Sequence, residues 1–251
     1  MVGLRLRSIR EYNRLYSTVL KILWRLQGTD SARVYMFHSV LERKEQVYSK
    51  FAITTGSFER FLNYEISRGQ SPMNIVELKS AIEKPRSFKK RFAVSFDDIY
   101  DSVYTNAYPI LKRLKIPFII FVTPKLIDNV DPASKNPMIT KEHLEELMAD
   151  NLCIVGSHGM KHKPFRYYTK EETMKSLIET RTIMNRETEL FAFPYGRRIE
   201  VSQPNIKCVK KAGYFCAFSA LDGSLQNKWF SSRWFLPRVL VGEDYVNKHV
   251  K

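Results

Sequence analysis

The chain has 251 residues, 44% hydrophobic and 27% charged, and 41 Lys and Arg against 26 Asp and Glu give it a formal net charge of +15. This balance excludes a disordered polymer and is enough for one domain with a well-buried core. Three cysteines with no close pair (Cys153, Cys208, Cys216) exclude a disulfide framework and zinc-finger spacing, and no stretch reaches the ~18 apolar residues of a membrane span.

The first element is a helix in "LRSIREYNRLYSTVLKILWRLQG". Helical spacing puts Tyr12, Leu15, Val19, Ile22, Leu23 and Leu26 on one side and Arg7, Arg10, Arg14, Lys21 and Arg25 on the other, with Gly28 as a stop. A helix packed on its own domain and one lying on anionic lipid, with Trp24 at headgroup level, share this pattern. The N-terminus lacks the apolar core and cleavage site of a signal peptide, so a cytoplasmic location is expected, with possible peripheral contact at the inner membrane face through residues 1–27. Residues 1–30 are read as a basic helical appendage and 31–251 as one domain.

Strand-like and helix-like segments then alternate. "ARVYMFHSV" reads as a strand, and "TGSFERFLNYEISRG" as a helix capped by Thr55 or Ser57. "RFAVSFDD" is a strand, "DSVYTNAYPILKRLK" a helix, and "IPFIIFVTP" a strand buried on both faces. Thr140 caps a helix through "ITKEHLEELMADN". The strand "LCIVGSHG" precedes a helix opened by Thr169 with Glu172 behind it. "LFAFPYG", "YFCAFSA" and "FLPRVLVG" complete seven strands, with the helix "PNIKCVKKAG" before the second of them. Such alternation predicts parallel strands joined by helical crossovers, as a barrel or an open doubly wound sheet. In both, function gathers at the strand ends.

Three strand ends carry chemistry-capable groups: His38 after "VYMF", Asp97 and Asp98 after "AVSF", and Ser157, His158 and His162 after "LCIVG". Four-residue spacing on a helical turn would put the imidazoles of His158 and His162 on one side, as chelating pairs require. With Asp98 they make a set suited to a divalent metal that keeps positions open. A cation there relieves the repulsion between adjacent carboxylates, and Asp97 is placed to act as a base on water. Alone, the histidine pair, the "DD" or His38 would each be a common structural feature; the conjunction at strand ends favours a metal site.

"SFDDI", "GSHGMKH" and "FAFPYG", in this order, resemble the three leading motifs of the polysaccharide deacetylases, the NodB-type carbohydrate esterases. The resemblance spans Val34 to Val241 and implies a distorted (β/α)7 barrel. It implies a metal-dependent hydrolase that removes acetyl groups from N-acetylated sugars. By the same resemblance Asp97 is the general base, Asp98, His158 and His162 bind a divalent metal, usually zinc, and the Tyr195 N–H helps hold the oxyanion. Ile99 stands where the family has glycine, so the turn is expected to avoid positive φ. Ala192 replaces the arginine that pairs with the base, and Arg238 in "LPRVLV" is the candidate substitute. The usual C-terminal acid motif is absent. "YMFHSV" instead matches the early strand of the permuted poly-N-acetylglucosamine deacetylase branch and makes His38 the acid. The expected substrate is an N-acetylated glycan or a lipid- or nucleotide-linked sugar, with nucleic acid not expected as a partner. The competing reading is a degraded barrel serving as a glycan-binding or membrane-surface scaffold.

Overall fold

A computed structural model describes residues 31–46, 49–131, 134–184, 188–226 and 232–250. The expected N-terminal helix lies outside them. The strands are β1 (Arg33–Phe37), β2 (Ser39–Leu41), β3 (Ala52–Thr54), β4 (Ser71–Pro72), β5 (Arg91–Phe96), β6 (Phe118–Val122), β7 (Cys153–Ser157), β8 (Leu190–Ala192), β9 (Cys216–Phe218) and β10 (Val239–Leu240). The helices are α1 (Thr55–Ser67), α2 (Ile75–Glu83), α3 (Tyr108–Leu114), α4 (Lys141–Ala149), α5 (Lys170–Ile183), α6 (Gln203–Lys211) and α7 (Glu243–His249).

The main sheet runs β10-β1-β5-β6-β7-β8-β9, all parallel, with β4 added beside the start of β5. The last segment closes it. Leu236 bridges Phe218 at the end of β9, while Val239 and Leu240 pair with Tyr35 and Met36 of β1. One stretch therefore touches both edges, and the sheet curls into the expected distorted barrel.

Strand periodicity divides the core into two layers. Phe92, Val94 and Phe96 of β5 pack with Phe58, Phe61 and Leu111 on the helix side. Ala93 joins Val34, Ile119, Phe121, Ala192 and Phe218 on the concave side, where α2 adds Leu78 and Ala81. The inward series Ala93, Ser95 on β5 continues to Asp97, and Ile154, Gly156 on β7 continues to His158. The residues that fill the barrel are thus in phase with those that would do its chemistry.

Several local expectations are corrected. The cap of α1 is Thr54, whose side chain accepts from the Ser57 N–H, rather than Thr55 or Ser57. "DSVYTNAYPILKRLK" is a π-helical turn, Val103–Ala107, followed by α3. Pro109, at the start of α3, has no N–H to continue an α-helical ladder from the preceding turn. "ARVYMFHSV" splits at His38 into β1 and β2, and β2 pairs with β3 rather than with the main sheet.

Candidate metal centre

β5 ends at Phe96, and Asp97 follows on the inward side. The residue is 3% exposed, and its carboxylate is gripped by Arg238: Nη1 donates to Oδ1 at 2.6 Å and Nη2 to Oδ2 at 2.7 Å. Arg238 is fully buried, donates from Nε to the Ser219 carbonyl at 3.0 Å, and has its guanidinium over the Phe121 ring at 5.3 Å. Two parallel charge-assisted bonds fix the carboxylate plane. Burial pushes the Asp97 carboxyl up, but Arg238 and the nearby histidines outweigh it and hold it below the ordinary range.

Asp98 and Ile99 both adopt left-handed backbone, at φ +65° and +52°. The expectation that Ile99 avoids positive φ is therefore wrong. The two residues turn the chain so that Asp98, next in line for the outer face, swings back over the barrel end. The Ile99 side chain is 1% exposed in the outer core, and its backbone is held by a hydrogen bond from the Ile139 N–H at 3.0 Å.

His158 follows β7, and its Nδ1 donates to the Ala192 carbonyl at 2.8 Å. This leaves Nε2 with a lone pair facing the site. His162 does not lie on a helical turn, as its spacing had implied. The loop after β7 passes through left-handed Gly159 (φ +75°) and His162 (φ +47°), which brings the second imidazole round beside the first. The donor atoms of Asp98, His158 and His162 all lie within 4.8 Å of one another.

The donor set fits a divalent cation. Asp98 Oδ1 approaches His162 Nε2 at 2.8 Å and His158 Nε2 at 3.4 Å, yet it is buried without an aligned hydrogen bond. Lone pairs converging on one point are what a cation satisfies. Burial opposes charge on both partners, but their mutual attraction wins. Asp98 is held well below the usual carboxylate range and His162 above the usual imidazole value.

His38 is at the β1–β2 break, its ring 4.8 Å from that of Phe51, with a buried Nδ1 that has no hydrogen-bond partner. Burial lowers its pKa, although the charges of Asp98 and Asp97 pull the other way. Tyr195 (φ +60°) sits in the Pro194–Tyr195–Gly196 turn, its ring stacked on His162 and 52% exposed. Gly196 (φ +54°) is required there, because a Cβ would meet the Ala220 nitrogen at 2.5 Å. Burial and the charges of Asp98, Asp131 and Glu200 raise the Tyr195 phenol, which keeps it neutral.

All seven candidate residues thus gather at one end of the barrel. Sequence reasoning missed their supports: the Ala192 carbonyl that orients His158, and Ser95 and Ser219, which flank Arg238. Main-chain acceptors such as the Ala192 and Ser219 carbonyls leave no trace in residue identity, and Ser95 carried only its inward strand phase.

Two imidazoles and one carboxylate at the C-terminal mouth of a parallel barrel, beside a second carboxylate kept ionised, define the class of metal-dependent hydrolases. Residues 84–217 match the polysaccharide deacetylase family model, and the chain belongs to that family. It is similar to the poly-beta-1,6-N-acetyl-D-glucosamine N-deacetylase of Staphylococcus aureus (strain MRSA252), at 27% identity over 88% of this chain and 82% of the relative. The enzyme of the same name from Staphylococcus epidermidis is 22% identical over 86% of this chain and 76% of its own. Among solved structures, IcaB from Ammonifex degensii superposes with a TM-score of 0.71 at 25% identity, covering 88% of this chain and 95% of that one. The Streptococcus pyogenes deacetylase PplD shares the fold, with a TM-score of 0.70 at 17% identity over 89% and 100%.

Proposed function

We propose that residues 31–251 form a catalytic domain that removes acetyl groups from an N-acetylated glycan or glycan precursor, with zinc held by Asp98, His158 and His162. The observation that carries this reading is the convergence of those three donors next to the Asp97 carboxylate clamped by Arg238. A divalent ion bound there supplies Lewis acidity, polarising a carbonyl oxygen and lowering the pKa of water.

The chain's own residues do the rest. Asp97, ionised and fixed in plane, accepts the proton of the attacking water. The Tyr195 N–H has no hydrogen-bond partner among the described residues and is the proposed donor to the oxyanion. His38 delivers a proton to the departing amine, which as an amide anion would be too poor a leaving group. Arg238 positions Asp97, replacing the arginine lost at Ala192, and this speaks against a degraded barrel.

The relatives' names specify N-acetylglucosamine polymers. Here Lys161, Lys163, Arg166 and Arg197, all exposed on the loops that carry His162 and Tyr195, support a substrate whose N-acetyl sugar is carried on a phosphate-bearing lipid or nucleotide. Together with the basic pattern of residues 1–27 and three free cysteines, they support a protein at the cytoplasmic membrane face.

The test is metal content and acetate release together. The wild type is expected to hold about one zinc per chain and to release acetate. The His158→Ala/His162→Ala variant is expected to lose both. Asp97→Asn and His38→Ala should keep metal and lose roughly 100-fold or more in turnover. A metal-loaded wild type that binds glycan without releasing acetate would replace the enzyme reading with the scaffold one.

A further inference from the structure

The two histidines of the metal centre are held in different ways. His158 extends β7, and its Nδ1 hydrogen bond to Ala192 fixes both tautomer and ring plane. His162 has neither support. It stands in the following loop on left-handed backbone with its side chain 23% exposed, and its Nδ1 makes no hydrogen bond among the described residues. Metal-binding imidazoles almost always donate their second nitrogen to a carboxylate, a carbonyl or water. With no protein acceptor among the described residues, ring packing is the protein contact that can fix the plane of this partly exposed ring.

The Tyr195 ring lies against His162 with centroids 4.9 Å apart and planes at 28°, closer and flatter than the His158 ring on the other contact, at 5.1 Å and 37°. Tyr195 is itself rigidly presented. It is set between buried Pro194 and Gly196, whose carbonyl accepts from the Ala220 N–H at 2.9 Å and whose Cα packs so close to Ala220 that a Cβ would lie 2.5 Å from its nitrogen. A large aromatic side chain left 52% exposed contributes little to the core. Its one ring contact among the described residues is to the metal-ligand candidate.

We infer that the Tyr195 side chain is a positioning residue for His162. Its ring face supplies the orienting contact that no protein acceptor among the described residues gives Nδ1, and it aims Nε2 at the point shared by Asp98 and His158. This rests on the metal-centre reading. It is separate from the proposed role of the Tyr195 main chain, which a side-chain substitution leaves in place.

The experiment is a zinc titration of the full, metal-stripped chain against a chromogenic chelator, for wild type, Tyr195→Phe and Tyr195→Leu. Phenylalanine keeps the ring, so wild-type affinity is expected. Leucine fills similar space without a flat face and should weaken zinc binding by about 10-fold, the lower end for losing an outer support of a metal ligand. Cobalt-loaded protein gives a second readout, since a mispositioned imidazole changes the ligand-field spectrum, and that change should appear in Tyr195→Leu alone. Thermal unfolding in chelator should be the same for all three chains. Equal zinc affinity in wild type and Tyr195→Leu, or equal losses in both variants, would overturn the ring's role while leaving the metal centre intact. A wild type that binds no zinc would overturn both.

Discussion

Ile99 shows how a rule about one residue can be right and still lose. A β-branched residue in left-handed backbone costs roughly 1–2 kcal/mol, and glycine would remove that cost. Yet the Ile99 side chain is buried to 1% in the outer core. Deleting a buried aliphatic of this size costs about 2–5 kcal/mol. Packing therefore outweighs strain, and Ile99→Gly is expected to destabilise the metal-free protein by about 1–3 kcal/mol, read by urea unfolding in chelator. A more stable glycine variant would mean the side chain contributes nothing. The same scale governs Arg238. Removing it with Arg238→Met leaves Asp97 as a buried charge without a partner, at a cost of about 3–5 kcal/mol. Asp97→Asn added to Arg238→Met should recover part of that loss; a double variant no better than the single would refute a paired-charge account. The aspartates and histidines of this site were legible because few residue types do such chemistry and these stood at strand ends. The left-handed turns that aim them were not, because they are set by contacts such as Ile139 N–H to the Ile99 carbonyl, far along the chain.

At the level of elements, what could be read depended on how local the cause was. Thr140 and Thr169 cap α4 and α5 as expected, the latter in a full capping box, since every participant lies within three residues. α2 went unread although Asn74 and Glu77 form the same box, because its short apolar stripe faces the concave core rather than an obvious crossover. Gly156 on β7 shows an element constrained by its neighbour. A Cβ there would lie 2.6 Å from the Phe121 ring, which in turn underlies Arg238. Gly156→Ala should cost about 1–3 kcal/mol through overpacking and lower turnover as well; an unperturbed variant would show that Phe121 has room to yield. Glu243, in the first turn of α7, ties that helix to the α1 cap by accepting from the Thr54 N–H at 2.9 Å and the Ser57 hydroxyl at 2.7 Å. Burial raises its carboxyl, but the bonds from Thr54 and Ser57 outweigh it, and the folded value falls below 4.5. A depressed carboxyl adds stability that is present above the unfolded value and is lost as pH falls through the folded one. Glu243→Gln should therefore be less stable than wild type at neutral pH, with the gap closing below pH 4.5; a gap that stays constant with pH would exclude ionisation as the cause.

For the whole molecule, closure and charge decide what the barrel can meet. Asp97 and Arg238 are 141 residues apart, and the Leu236–Leu240 stretch, by joining β9 to β1, brings them together. Seven strands were countable in advance, but which edge met which was not, since closure is a property of pairing rather than of any segment. The net charge of +15 acts at the same scale. A polybasic segment at an anionic surface gains about 1 kcal/mol per Lys or Arg, and screening reduces this within a Debye length of about 8–10 Å. If Arg7, Arg10, Arg14, Lys21 and Arg25 form one face of a surface helix, replacing all five with glutamine should weaken binding to anionic vesicles by roughly 100-fold or more. Zinc content should not change, because none of the five belongs to the site. The wild-type chain should sediment with anionic but not zwitterionic vesicles, and added salt should release it. If the substituted chain binds as tightly as the wild type, the N-terminal segment is not the membrane contact.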